Sequence, residues 1–185
     1  MELQIPPSPP LEVDTSLRGG EGLAMSAMTG KTRHLWGPDA RSINITAEGS
    51  FGGTMGVEAG LMQILRGSDA GYYLMQDQGA GMLTDIQVSA GVENSRYYYS
   101  GSKNTLKRTT FEGLRTEGNF NVTVLPSVSF GVTGSYAVVD GGANRVYSIG
   151  STATIGLSAF EFLPVTFGIN RGVTKLRPAN KMRWR

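Results

Sequence analysis

Between Asn119 and Asn170 apolar and polar residues alternate over long runs. Phe120, Val122, Val124, Val128, Phe130, Val132, Tyr136 and Val138 hold even positions, and Asn119, Asn121, Thr123, Ser127, Ser129, Gly131, Thr133 and Ser135 lie between them. After the reversal sequence Asp140-Gly141-Gly142-Ala143-Asn144, Tyr147, Ile149, Ala153, Ile155, Leu157 and Ala159 hold odd positions, and Leu163, Val165, Phe167 and Ile169 form a third run. Successive side chains of a strand point to opposite faces, so a period of two describes strands with one apolar and one polar face. Pro126 falls inside the first run without changing its parity; it marks an edge, a bulge or a bend, or else separates two strands.

The same pattern begins at Ser42, where Ile43, Ile45, Ala47 and Phe51 alternate with Asn44, Thr46, Glu48 and Ser50. Val57 to Leu65 reads as a second strand and Arg66-Gly67-Ser68-Asp69 as a turn. Gly71 to Gln76 reads as a short strand ended by the turn Asp77-Gln78-Gly79. Met82, Ile86, Val88, Ala90 and Val92 form the next strand, closed by Glu93-Asn94-Ser95. Arg96 to Tyr99 reads as an aromatic strand, Leu106 to Arg115 as a charged edge or rim strand, and Thr116-Glu117-Gly118-Asn119 as a turn. The expected fold is all-β, an antiparallel up-and-down meander of about 8–10 strands, closed into a barrel because closure removes exposed edges, with a β-sandwich as the alternative.

Three segments are expected. Residues 1–41 are a Pro-rich extended lead followed by an irregular stretch, 42–172 the barrel-like domain and 173–185 a basic tail. Pro6-Pro7-Ser8-Pro9-Pro10 favours polyproline II, and Trp36-Gly37-Pro38-Asp39 is a turn signal. The first residues carry neither a basic nor an apolar region of a secretory signal, so any export is expected by a route without an N-terminal signal peptide. No run of 18 apolar residues is present, which removes a transmembrane helix but leaves strands of about 10 residues free to span a bilayer.

Composition narrows the chemistry. Gly is 26 of 185 residues, charged residues are only 17%, and there is no cysteine. Disulfides and thiolate metal sites are therefore excluded, and the single histidine, His34, excludes a histidine-rich metal site. Gly30-Lys31-Thr32 lacks the glycine that a phosphate loop needs five residues earlier, where Met25 stands. Glu48 and Glu58 could approach each other across the first hairpin, the one carboxylate pair that spacing suggests. No catalytic residue, metal ligand or cofactor is assigned. The last fifteen residues carry +6 and no acid, leaving the remainder at −4. Arg171, Lys175, Arg177, Lys181, Arg183, Trp184 and Arg185 are therefore the candidate membrane or anion contacts, and Tyr97, Tyr98 and Tyr99 the candidate rim aromatics. The polar faces are Ser, Thr, Asn and Gly, where a soluble exterior carries Lys and Glu. Such a face fits a second layer, a partner, a narrow lumen or a membrane.

The stretch Leu35-Trp36-Gly37-Pro38-Asp39-Ala40, the glycine-alternating runs Ser42 to Gly60 and Phe130-Gly131-Val132-Thr133-Gly134-Ser135-Tyr136, and Val165-Thr166-Phe167-Gly168-Ile169-Asn170 resemble the glycine-rich β modules at the C-termini of bacterial polymorphic toxins of the Rhs/YD-repeat type. The resemblance covers roughly residues 30–175 and brings no catalytic motif. It implies a secreted bacterial effector or toxin-like β module acting at a membrane or by binding, with a delivery apparatus or an immunity protein among its partners. A structural or assembly subunit, an outer-membrane-type barrel, and a small-ligand or enzymatic barrel are the alternatives. Oligomers are compatible with all of these, and nucleic acid is not an expected partner.

Overall fold

The structure, a computed structural model, describes residues 37–51, 53–83, 86–125, 127–158 and 165–179. The expectations for the Pro-rich lead, His34, the Gly30-Lys31-Thr32 stretch, Pro126, and Lys181, Arg183, Trp184 and Arg185 lie outside the described residues. Among the described residues eight strands make the fold: β1 (Ala40–Ser50), β2 (Thr54–Ile64), β3 (Gly71–Leu83), β4 (Gln87–Tyr99), β5 (Gly113–Leu125), β6 (Val128–Val139), β7 (Asn144–Ser158) and β8 (Val165–Pro178). They close into a barrel, every neighbouring pair antiparallel, so the all-β closed architecture is the one that period-two alternation indicated.

Strand direction alternates along the chain, but the wall does not follow the sequence all the way round. Its order is β1-β2-β3-β8-β5-β6-β7-β4, with β4 closing onto β1. This is two Greek keys side by side, 4-1-2-3 and 8-5-6-7. Within each, the fourth strand pairs with the free edge of the first, which hairpins alone would leave unsatisfied. One barrel end carries the tight β1–β2 and β5–β6 reversals. The other is capped by the β4–β5 connection, which includes two short 3-10 turns, Lys103–Thr105 and Arg108–Phe111. Lys175 and Arg177 are strand residues of β8.

Three segments that read as turns are strand interiors. Asp77-Gln78-Gly79 lies within β3, Glu93-Asn94-Ser95 within β4 and Thr116-Glu117-Gly118-Asn119 within β5. Leu106 to Phe111, read as strand, is the capping connection, and Arg115 is the third residue of β5. The run from Asn119 to Val138 divides between the end of β5 and β6. The common cause is that Asp, Asn, Ser and Gly are favoured in turns, and the inner surface of this barrel is built largely from such small polar residues.

Candidate functional site

Pairing register decides which face of each strand looks inward. On β1 the even positions face inward and the odd ones outward; Ser42 and Asn44 are buried, whereas Ile45 is 70% exposed. The same assignment holds round the wall. Val88, Val92, Val132, Ile155, Leu157, Phe167 and Ile169 all stand on the outside. Among the described residues, large apolar side chains on the surface far outnumber those in the interior, and buried polar residues outnumber buried apolar ones. The small polar face of the Asn119–Asn170 stretch therefore meets itself, across a lumen.

The lumen is layered. At the capped end Met62, Ile64, Met75, Tyr97, Tyr99, Leu106, Phe111, Val146 and Leu176 form an apolar plug. Leu106 and Phe111 come from the β4–β5 connection, and Phe111 meets Tyr97 edge-on with ring centroids 6.1 Å apart. Of the aromatic triplet, Tyr97 and Tyr99 point into the plug rather than standing at a rim, and Tyr98, on the outward parity of β4, is covered as well; none of the three exceeds 4% exposure. Tyr99 donates to Asp140 at 2.5 Å, tying the plug to the β6–β7 turn.

Beneath the plug lies an ionic layer. Arg115 on β5 is buried and contacts three carboxylates: Nη2 is 3.0 Å from Glu58 Oε2 and 2.9 Å from Glu117 Oε2, and Nε is 3.1 Å from Asp77 Oδ2. Asp77 also accepts the Thr174 hydroxyl, at 2.5 Å. Glu93 accepts a hydrogen bond from Ser95. One carboxylate oxygen from each of Glu58, Glu93 and Glu117 lies within 4.8 Å of the other two. Hard cations take oxygen triads of this kind; here the Arg115 guanidinium already stands among two of the three groups. Toward the turn end, Glu48, Asn119, Thr133 and Asn170 line a luminal cavity of about 60 Å³ together with the acids and Arg115. Glu48 and Glu58 do face one lumen, as the first hairpin suggested, although Glu48 hydrogen bonds with Asn170 and Glu58 with Arg115.

Inward glycines keep the lumen narrow. A Cβ on Gly60 would lie 2.1 Å from the Ile43 carbonyl oxygen, and one on Gly172 would lie 2.5 Å from Asp77 Oδ1. With plug, ionic layer and small residues in place, the interior is filled by its own side chains, as eight-stranded barrels permit.

Charge is sorted by face. Every described acidic residue within a strand (Glu48, Glu58, Asp77, Glu93 and Glu117) faces the lumen. All described strand bases except Arg115 are on the outer face: Arg41, Arg96, Arg145, Arg171, Lys175 and Arg177. Of the seven residues singled out in the basic tail, three are thus on the wall of β8, pointing outward. Sequence reasoning did not find Asp77, Glu93, Arg115 and Glu117 as a group. The available signal was parity, because Tyr73, Met75, Asp77, Gly79 and Gly81 run without a break on one face of β3.

No family model matches this chain, and no curated protein matches it. A search of solved structures finds the crystal structure of the red fluorescent protein lanRFPdam, at 9% identity and a TM-score of 0.26, covering 70% of this chain and 93% of that one. A likeness at that level carries no argument about function.

Proposed function

We propose that the chain is a membrane-embedded β-barrel with a sealed lumen, acting at a bilayer as an anchor or binding module rather than as a pore or an enzyme. The carrying observation is the inverted distribution of polarity: the strand acids and small polar residues inside, large apolar side chains predominating outside among six bases. A freely solvated monomer rarely exposes apolar patches beyond a few hundred Å², whereas a spanning barrel needs an outward apolar band on strands of about 9–11 residues. The strands here have 11 to 15 residues. Aromatic residues fall near both ends of the outer face, Phe120, Phe130 and Phe167 toward the turn end and Tyr72, Tyr136 and Tyr147 toward the capped end, in the manner of interfacial girdles. The plug and the ionic layer oppose conduction.

Of the effector expectation, this reading keeps the action at a membrane and adds no catalytic step. The test is refolding from denaturant in the presence of dye-loaded phospholipid vesicles, followed by flotation. Insertion with retained dye is expected. A protein that stays in the aqueous phase as a monodisperse monomer sinks the reading, and a soluble higher oligomer points to the assembly-subunit alternative. Release of the dye favours a toxin-like, membrane-opening module.

A further inference from the structure

We infer that the outer wall over β2, β3 and β8 holds a binding groove for the phosphate headgroup of an anionic phospholipid; the inference rests on the membrane reading above. Arg171, Lys175 and Arg177 stand on one outward row of β8, alternating with the inward Gly172, Thr174 and Leu176. Register places Lys175 beside Gln76 and Arg177 beside Leu74 on β3, and Gln76 beside Ala59 on β2. The small Ala59 side chain leaves a depression at this point. The resulting cavity, about 240 Å³, is lined by Ala59, Leu74, Gln76, Lys175 and Arg177, with Gly60 and Met75 beneath.

The lining is amphipathic in the way a lipid is. Lys175 and Arg177 supply two cationic donors, and a guanidinium presents a planar fork to phosphate oxygens. Gln76 adds an amide for hydroxyl or ester oxygens. Ala59 and Leu74 give an apolar floor, continued along β2 by Val57 and Leu61, on which an acyl chain can lie. Arg171 stands further along the row toward the turn end, between Ala80 of β3 and Thr116 of β5, and its long side chain can reach a headgroup while its stem rests on apolar wall.

Charge complementarity selects the occupant. No described acidic side chain of a strand faces outward; the described acid nearest this row, Glu112 of the β4–β5 connection, is engaged with the Leu176 N–H. The groove lies on the capped-end half of β3 and β8, at the border of the apolar band, where headgroups of a bilayer would sit. A zwitterionic headgroup carries a compensating ammonium that meets no acid among the described lining residues, so an anionic phosphodiester is favoured.

The test uses the full chain and the Lys175→Gln/Arg177→Gln double variant, each reconstituted into vesicles of phosphatidylcholine alone and of phosphatidylcholine with phosphatidylglycerol. The proteins are then extracted in mild detergent and their retained lipids measured by native mass spectrometry. Wild type is expected to retain phosphatidylglycerol over phosphatidylcholine, and the double variant to lose that preference by about tenfold. Arg41→Gln, on the opposite side of β2, is expected to keep it. Displacement of the retained lipid by millimolar inorganic phosphate would reassign the site to free phosphate and overturn the lipid assignment. Insertion of both proteins with equal retention of the two lipids overturns the groove and leaves the membrane reading standing. Failure to insert into either vesicle overturns the membrane reading and the groove with it.

Discussion

Arg115 and Glu58 are 57 residues apart in sequence, and their side chains meet at 3.0 Å across the barrel lumen. Their strands are not neighbours, because β3 and β8 lie between β2 and β5 in the wall. Glu58 and Asp77 belong to the first Greek key, Arg115 and Glu117 to the second. The guanidinium is therefore a brace between the two halves, reaching directly from β5 across to Glu58 on β2 and Asp77 on β3. Removing one partner of a buried ion pair leaves the others without compensation, at a cost of roughly 3–5 kcal/mol. Arg115→Met is expected to lose stability on that scale in denaturant titration. Arg115→Lys, which keeps the charge without the fork, should fall between it and wild type. A loss within experimental error for Arg115→Met would show that the carboxylates are compensated by other means.

The outer wall supplies a test in which depth is the variable. Val132 is in the middle of β6 and Val138 near its capped end, and both point outward. An arginine on the lipid face of a barrel costs about 2–4 kcal/mol at the bilayer midplane and about 0–1 kcal/mol near an interface. Val132→Arg should therefore lower stability in vesicles by the larger amount and Val138→Arg by the smaller. On a water-exposed wall both changes would stay within about 0.5 kcal/mol. Equal, small effects measured by equilibrium unfolding in vesicles would contradict immersion of this face.

Those two valines also show how far the sequence could be read. Their even parity was plain, and it was enough to establish strands, antiparallel order and closure. It did not say which face was inside, because alternation is symmetric: the apolar face of a water-soluble barrel and that of a spanning one produce the same pattern. The distinguishing signal was the company of the polar face. Ser135 bonds Ser148 at 2.6 Å and Thr152 bonds Asn121 at 3.1 Å. Such pairs need small uncharged groups, whereas contact with water favours Lys and Glu. The ionic layer was harder to see. Asp77, Glu93 and Glu117 each sit beside residues that favour reversals, and only their parity relative to Met75, Ser95 and Arg115 places them on a common inner face. The two Greek keys were not legible, since nothing local in β4 or β8 tells it to pair with an edge three strands away.

The plug makes a separate prediction. Leu106 is completely buried, although it belongs to a connection rather than to a strand. It packs among Met62, Ile64, Tyr97 and Leu176, and so ties residues 100–112 to the barrel mouth. Leu106→Ala should cost about 2–5 kcal/mol, the range for large-to-small changes in a core. Because the lost contacts are local to the cap, amide exchange should rise first in residues 100–112, with the β5 and β6 amides slower to follow. Uniform acceleration across all eight strands would mean that the cap and the wall unfold as one unit.

Glycine at position 60 is required by the wall itself. Gly60 faces inward on β2, opposite Asn44 of β1, and an added Cβ would fall 2.1 Å from the Ile43 carbonyl oxygen and 2.4 Å from Asn44 Oδ1. The nearer obstacle is backbone, which can yield only if the β1–β2 ladder shifts. Gly49 is the matched control, because a Cβ there meets nothing within 4 Å. Overpacking a filled interior costs about 1–3 kcal/mol. Gly60→Ala is therefore expected to destabilise on that scale. Gly49→Ala should be neutral or gain about 0.4–1 kcal/mol, since alanine restricts the unfolded chain without straining the strand. Parallel thermal and denaturant unfolding of the two variants measures the difference directly. If Gly60→Ala matched Gly49→Ala, the β1–β2 ladder would have room for an inward methyl group, and the lumen would be wider than a close-packed one.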